Sequence, residues 1–156
     1  MTTARAFFYI QQLEQLARRQ IDEALKGWQL TAGQFMTLNL IARHQPVCCS
    51  DLAQRARMTA QSMGAIVKSL AARGLLERRG GLSNWRVIEL RLTAAGDELN
   101  RRCEARVDEV EQRFFARLTE AELAALPELL CRVRNAELER LRRPAAPASP
   151  SSTRTT

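Results

Sequence analysis

The sequence predicts a mainly α-helical chain with one small β-hairpin. Three observations carry that expectation. Apolar residues recur every three or four positions over most of the chain, the period of a helix with one buried face. Between Ser50 and Gly74 two short helical patterns meet at a tight turn. Directly after them, Leu75–Leu92 alternates in the manner of two strands around the flexible pair Gly80-Gly81.

The first helix is expected over Ala4–Lys26, with Phe7, Ile10, Leu13, Leu16 (or Ala17), Ile21 and Leu25 on one side. A second starts at Thr31, whose hydroxyl caps while Gln34 reaches back, and stops near His44 because Pro46 cannot continue it. A third, short helix begins at Cys49–Ser50 and holds Leu52, Ala53 and Ala56. Thr59 caps a fourth, with Met63, Ile66, Val67 and Leu70 inward and a left-handed glycine stop at Arg73-Gly74. Strands follow over Leu75–Arg79 and Arg86–Leu92, with Ile88, Leu90 and Leu92 on one face and Glu89 and Arg91 on the other. Thr93 caps a long fifth helix carrying the narrow seam Leu99, Cys103, Val107, Val110 and Phe114. Thr119 with Glu122 opens a sixth through Leu123, Leu126, Leu130, Val133 and Leu141. Pro127 is expected to kink or break it, since an interior proline costs ~3 kcal/mol. Residues 144–156, rich in Pro, Ala, Ser and Thr, are expected to be a disordered tail behind a single domain over 1–143.

Composition narrows the partner. Hydrophobic residues make up 46% and charged residues 26%, a globular balance, and the net charge of +7 favours a polyanion. Lys26 and Lys68 are the two lysines; arginine supplies the rest, and its fork fits phosphate and guanine. A GC-rich coding sequence would account for part of that bias. No export signal or membrane span is read: the apolar run Phe7–Ile10 stops at Gln11-Gln12, and Trp28–Ala42 is broken by polar residues. A cytoplasmic location is therefore expected, with Cys48, Cys49, Cys103 and Cys131 as reduced thiols. Their spacing is not that of a zinc ribbon, and neither metal nor cofactor is expected. With one histidine and no Ser/His/Asp set, an enzyme is the weakest reading.

A helix-turn-helix followed by a basic hairpin is a device for placing one helix in the major groove of double-stranded DNA with a wing beside it. The capped start of the fourth helix, at Thr59, aims amide N–H groups at phosphate. Gln61 and Ser62 lie on its early outward turns; Gln61 suits adenine, and Ala65 offers a methyl to thymine. Lys68, one turn on, suits phosphate, as do Arg78, Arg79 and Arg86 of the hairpin. Taken alone, Gln, Ser and Lys would be ordinary solvated residues; the motif is what makes them candidate base readers.

Nearly the whole chain, Ala4–Leu141, resembles the MarR family of bacterial winged-helix regulators. The resemblance rests on LTAGQF (Leu30–Phe35), SDLAQRARMTAQSMGAIVKSLAARGLLERR (Ser50–Arg79) and RLTAAG (Arg91–Gly96), in that order and spacing. It implies a winged helix-turn-helix at 31–93 flanked by dimerisation helices at 4–30 and 94–143. It further implies a homodimer on a pseudo-palindromic operator, most often as a repressor. On that basis the seam Leu99, Val107, Val110 and Phe114, with the last helix, is expected to serve the dimer rather than fold back on its own core. The wing departs from the family pattern: Asn84 stands for the usual tip aspartate and Trp85 for the tip arginine, with Arg86 keeping a charge on the return strand. A protein-interaction module of the same fold that has lost operator specificity is the alternative this departure allows.

Many members release DNA when a small aromatic acid binds or a cysteine is oxidised. The family's usual ligand site lies between the dimer helices and the winged helix, where Phe8, Trp28, Phe35, Met36 and His44 are candidates to line a pocket. An aromatic stripe of this kind is more often core than pocket. Cys48 and Cys49 open the third helix, where a thiolate is stabilised. The plainer reading makes both small buried apolar residues, and Cys103 and Cys131 core residues of the fifth and sixth helices.

Overall fold

The computed structural model describes residues 3–80 and 88–142. The order is α1 (Thr3–Leu25), a 3-10 turn (Lys26–Trp28), α2 (Ala32–His44), β1 (Val47–Cys48), α3 (Cys49–Ala56), α4 (Ala60–Ala72), β2 (Leu76–Gly80), β3 (Ile88–Leu92), α5 (Ala94–Phe114) and α6 (Glu120–Arg142). The chain divides after Phe114: α1 to α5 form one unit, and α6 belongs to a second.

The six predicted helices are present, and most of their ends lie where the capping residues place them. Thr31 and Gln34 form the reciprocal capping box at the start of α2, with bonds of 3.2 and 3.0 Å. Thr59 caps α4 and Thr93 caps α5 through the amides of Ser62 and Gly96, at 3.1 and 3.0 Å. The first helix ends one residue earlier than expected. Lys26–Trp28 tightens to a 3-10 turn, and Gln29 closes it in the left-handed region at φ 53°.

The sheet has one strand more than the sequence predicts. Val47 and Cys48 form β1, which pairs with Leu90 and Glu89 of β3, so the strand order is β1-β3-β2. Two residues are too few for alternation to show, and β3 makes the strand by pairing with it. The predicted start of β2 at Leu75 is also corrected. The Leu75 amide bonds the Leu70 carbonyl at 3.1 Å, which closes α4 and delays the strand to Leu76. Of the predicted return strand, Ile88–Leu92 is described; Leu90 is 1% exposed but Ile88 is 47% exposed, opposite Gly80 and beyond the core.

One apolar core lies beneath α4. Leu25, Leu38, Ile41, Leu52, Met63, Val67, Leu70 and Leu90 are buried in it together. Full burial of such a side chain stabilises by about 1.5–3 kcal/mol. The α5 seam corrects the expectation that it is kept for a second copy. Cys103 belongs to this core, Leu99 and Val107 pack against it, and Val110 is buried. The physical reason is that α5 lies against α1 and α2, so its apolar stripe is used within the chain. The longest run of exposed apolar residues in this unit is instead on α1, at Phe7, Phe8, Tyr9, Ile10, Leu13 and Leu16.

In the second unit, α6 continues through Pro127, so of the kink or break expected there the break does not occur. The Ala-, Leu-, Glu- and Arg-rich turns around it favour helix strongly enough to outweigh one lost bond. Thr119 donates backbone N–H and hydroxyl to Glu122, which holds that carboxyl below its ordinary value. Cys131, expected in a core, is exposed on α6.

Candidate nucleic-acid interface

The turn between α3 and α4 is made by Arg57, left-handed at φ 56°, whose amide bonds the carbonyls of Ala53 and Gln54. Thr59 then ends the turn as cap. Its oxygen accepts from the Ser62 amide and its hydroxyl donates to Ser62 Oγ at 2.8 Å. Ser62 therefore serves the cap and retains its own hydroxyl proton for an outside acceptor. Met63, Val67 and Leu70 are buried. Gln61, Ala65 and Lys68 fall on the opposite side of the same helix and, with Ser62, are exposed. The core thus orients α4 so that the predicted reading residues share one free face.

On α5 and α6 four arginines are paired locally, Arg101 and Arg102 with Glu98, Arg106 with Glu109 and Arg140 with Glu137, while Arg113, Arg132, Arg134 and Arg142 have no acidic partner among the described residues. Around the helix-turn-helix, Arg55, Arg57, Lys68 and Arg78 have no acidic partner among the described residues, so their charge is available to phosphate. Arg55 and Arg57 were missed as sites from sequence. Their signal was there, two arginines flanking the motif's turn, but only the fold exposes both next to the start of α4.

The hairpin separates its basic residues. Arg78 pairs in register with Leu90, while Arg79 lies opposite Glu89 and Glu77 opposite Arg91. Arg79 bonds Glu77 at 2.9 Å. The outer face of the hairpin base thus alternates in charge, with Arg79 paired to Glu77, and Arg78, on the face of Leu76 and Leu90, has no acidic partner among the described residues. Asn84 and Arg86, predicted at the wing, lie outside the described residues, as does Trp85.

The other candidate residues are spread over several environments. Phe35 is in the core, Trp28 packs on it half-buried, and Phe8, Met36 and His44 are exposed. Cys48 is the residue before α3, half-buried, its Sγ 2.9 Å from Ser50 Oγ. Cys49 is half-buried against the core. Among the described residues no group of three or more His, Cys, Asp or Glu could hold a metal ion, and no helix is long and apolar enough to cross a membrane.

Cys103 is the one perturbed thiol: burial pushes it up from 9.0 to about 11, partly offset by the nearby charge of Arg73. A raised thiol pKa favours the neutral form in the fold. Its stabilising contribution is full below about pH 9 and is lost as pH rises from there toward 11. Denaturant midpoints measured from pH 8 to 11 should fall more steeply for the wild type than for Cys103→Ala; parallel curves would contradict this.

A capped helix presenting polar side chains and unpaired cations, followed by a hairpin, is the winged helix-turn-helix of a DNA-binding protein. The comparisons agree. The model described as MarR family matches residues 28–81, from Trp28 through the helix-turn-helix to Gly81. An HTH-type transcriptional repressor of Mycobacterium tuberculosis is 31% identical over 102 residues, 65% of this chain and 73% of that protein. An uncharacterized HTH-type regulator of Bacillus subtilis is 30% identical over 129 residues, 79% and 88% of the two chains. Among solved structures, a mutant MarR from Escherichia coli complexed with operator DNA matches with TM-score 0.73 and 25% identity, covering 80% of this chain and 90% of that one. The chain belongs to the MarR family and is a winged helix-turn-helix, DNA-binding transcriptional regulator.

Proposed function

We propose that the protein is a homodimeric repressor of a pseudo-palindromic operator, with α4 of each copy in the major groove. The observation that carries this reading is the free face of α4: behind its capped start Gln61, Ser62, Ala65 and Lys68 are exposed together, with Arg55, Arg57 and Arg78 also exposed and without an acidic partner among the described residues. Gln61, Ser62 and Ala65 are the base-reading residues; Thr59 holds the helix start; Arg55, Arg57, Lys68 and Arg78 meet phosphate, and Asn84, Arg86 and Arg79 complete the wing side. Selection of bound fragments from genomic DNA should return a palindrome with half-sites about one helical turn apart. Gln61→Ala should relax base preference in each half-site, costing about 1–3 kcal/mol, while Arg78→Ala weakens all sequences alike and reduces the salt slope. An unchanged consensus for Gln61→Ala would show that α4 does not dock this way. Selection of no DNA at all would favour a protein-interaction module.

The release signal in this reading is a small aromatic acid taken up near Phe8, Trp28, Phe35, Met36 and His44, or oxidation of Cys48 or Cys49. Cys48 and Cys49 open α3, which packs against α4, so added bulk there would displace the reading helix. The same binding assay repeated with an aromatic acid, and with peroxide on the Cys48→Ser/Cys49→Ser protein, separates the two signals.

A further inference from the structure

The C-terminal half of α4 is held from the side by groups that neither the core nor the DNA face uses. Arg73, which ends α4, donates through one guanidinium nitrogen to the Gln29 carbonyl at 2.9 Å and through the other to the Trp28 carbonyl at 2.8 Å. One turn earlier Ser69 Oγ accepts from Gln34 Nε2 at 3.1 Å. Gln34 is itself fixed, because its Oε1 accepts the Thr31 amide in the α2 cap. The corner that receives these bonds is tied back to α1, where Asp22 Oδ1 accepts the Ala32 amide at 2.7 Å. A continuous set of directional bonds therefore runs from α1, through the α1–α2 corner, to the end of α4.

Each bond suits orientation more than bulk stability. The planar fork of arginine grips two successive carbonyls in one geometry, which a lysine cannot do. The corner is stiff, since Gln29 holds a left-handed conformation. Ser69 and Arg73 lie four residues apart on α4, in line with Ser62 and Ala65 but one to two turns further toward the C-terminal end, and round the helix from Gln61 and Lys68. Fixing that end fixes the direction in which the free N-terminal half points.

We infer that Arg73, Gln34 and Ser69 are positioning residues that set the pitch of α4 against the α1–α2 corner, and so select the half-site spacing the protein accepts rather than the bases it reads. This rests on the reading of α4 as the helix that enters DNA. It follows because α1 carries the open apolar face that a second copy would cover, so the corner is the link between the assembly and each reading helix. Two helices held at fixed pitch demand one spacing; two helices free to tilt accept several.

The test is binding to palindromes with constant half-sites and a spacer lengthened or shortened by single base pairs. The wild type should discriminate between spacers. Arg73→Met and Arg73→Lys should flatten that discrimination by about tenfold, the worth of charge-assisted bonds, and Ser69→Ala by a smaller factor. The half-site consensus and the salt slope should be unchanged for all three. Thermal midpoints establish that each variant is folded, and Ser69→Ala and Arg73→Lys keep the test open if Arg73→Met is not. Equal weakening at every spacer with a lower salt slope would make Arg73 a phosphate contact and overturn the inference. Unaltered spacer discrimination in folded variants would also overturn it. A wild type that selects no paired half-sites would remove the DNA reading of α4 itself, and this inference with it.

Discussion

Gly96→Ala is expected to destabilise the fold by about 3 kcal/mol or more, the upper end of what overpacking costs. A Cβ built on Gly96 falls 2.1 Å from the Leu75 carbonyl oxygen and 3.0 Å from its carbon. The partner is backbone, so no rotamer change relieves the overlap. Leu75 cannot withdraw cheaply either. Its carbonyl accepts the Thr93 amide at 3.1 Å, its own amide bonds Leu70 at 3.1 Å, and its side chain is buried. Thr93 adds a hydroxyl bond to the Gly74 carbonyl at 2.7 Å, so the start of α5 and the end of α4 are joined at this point. The lost stability should lower the thermal midpoint by roughly 10 °C in a chain of this size. Gly64→Ala is the control. Nothing lies within 4 Å of a Cβ there, and alanine in a helix interior should leave stability equal or up to about 1 kcal/mol higher. If the two variants melted together, the Gly96–Leu75 approach would not be a close contact in solution.

The second large effect is expected at the open face of α1. Ile10→Asp or Leu13→Asp should leave the winged helix folded, because both side chains are exposed in the single chain. Under the proposed assembly each introduces a charge where a second copy would cover apolar surface, at the full cost of burying it unpaired. Sedimentation should show a monomer at concentrations where the wild type is a dimer. Operator affinity should fall by about 10²–10⁴, the factor that linking two half-site readers supplies. Binding to a single half-site should change little. Mutants that stay dimeric, or that lose half-site binding as well, would place the interface elsewhere. The α5 seam is not open in the same way, because Cys103 and Val110 are buried within the chain and Leu99 and Val107 pack against its core.

Helix starts and the reading face were legible in the sequence because they are local. A hydroxyl at Thr31, Thr59, Thr93 or Thr119 finds its amide three residues on whatever surrounds it, and all four caps form. The spacing of Met63, Val67 and Leu70 dictates which side of the fourth helix is buried, and so which side holds Gln61, Ala65 and Lys68. Three features were decided only in three dimensions, since each depends on what a segment meets. The two-residue strand Val47–Cys48 exists because β3 pairs with it. The α5 stripe has the same spacing whether it faces a second copy or its own core, and only the position of α1 and α2 settles that Leu99 and Val107 pack inward. Arg78 and Arg79 are neighbours of equal charge in the sequence. Within the hairpin Arg79 shares its face with Glu77, which it bonds, and lies opposite Glu89, whereas Arg78 lies opposite Leu90 with no acidic partner among the described residues, because side chains alternate across a strand and each meets only what its own face supplies.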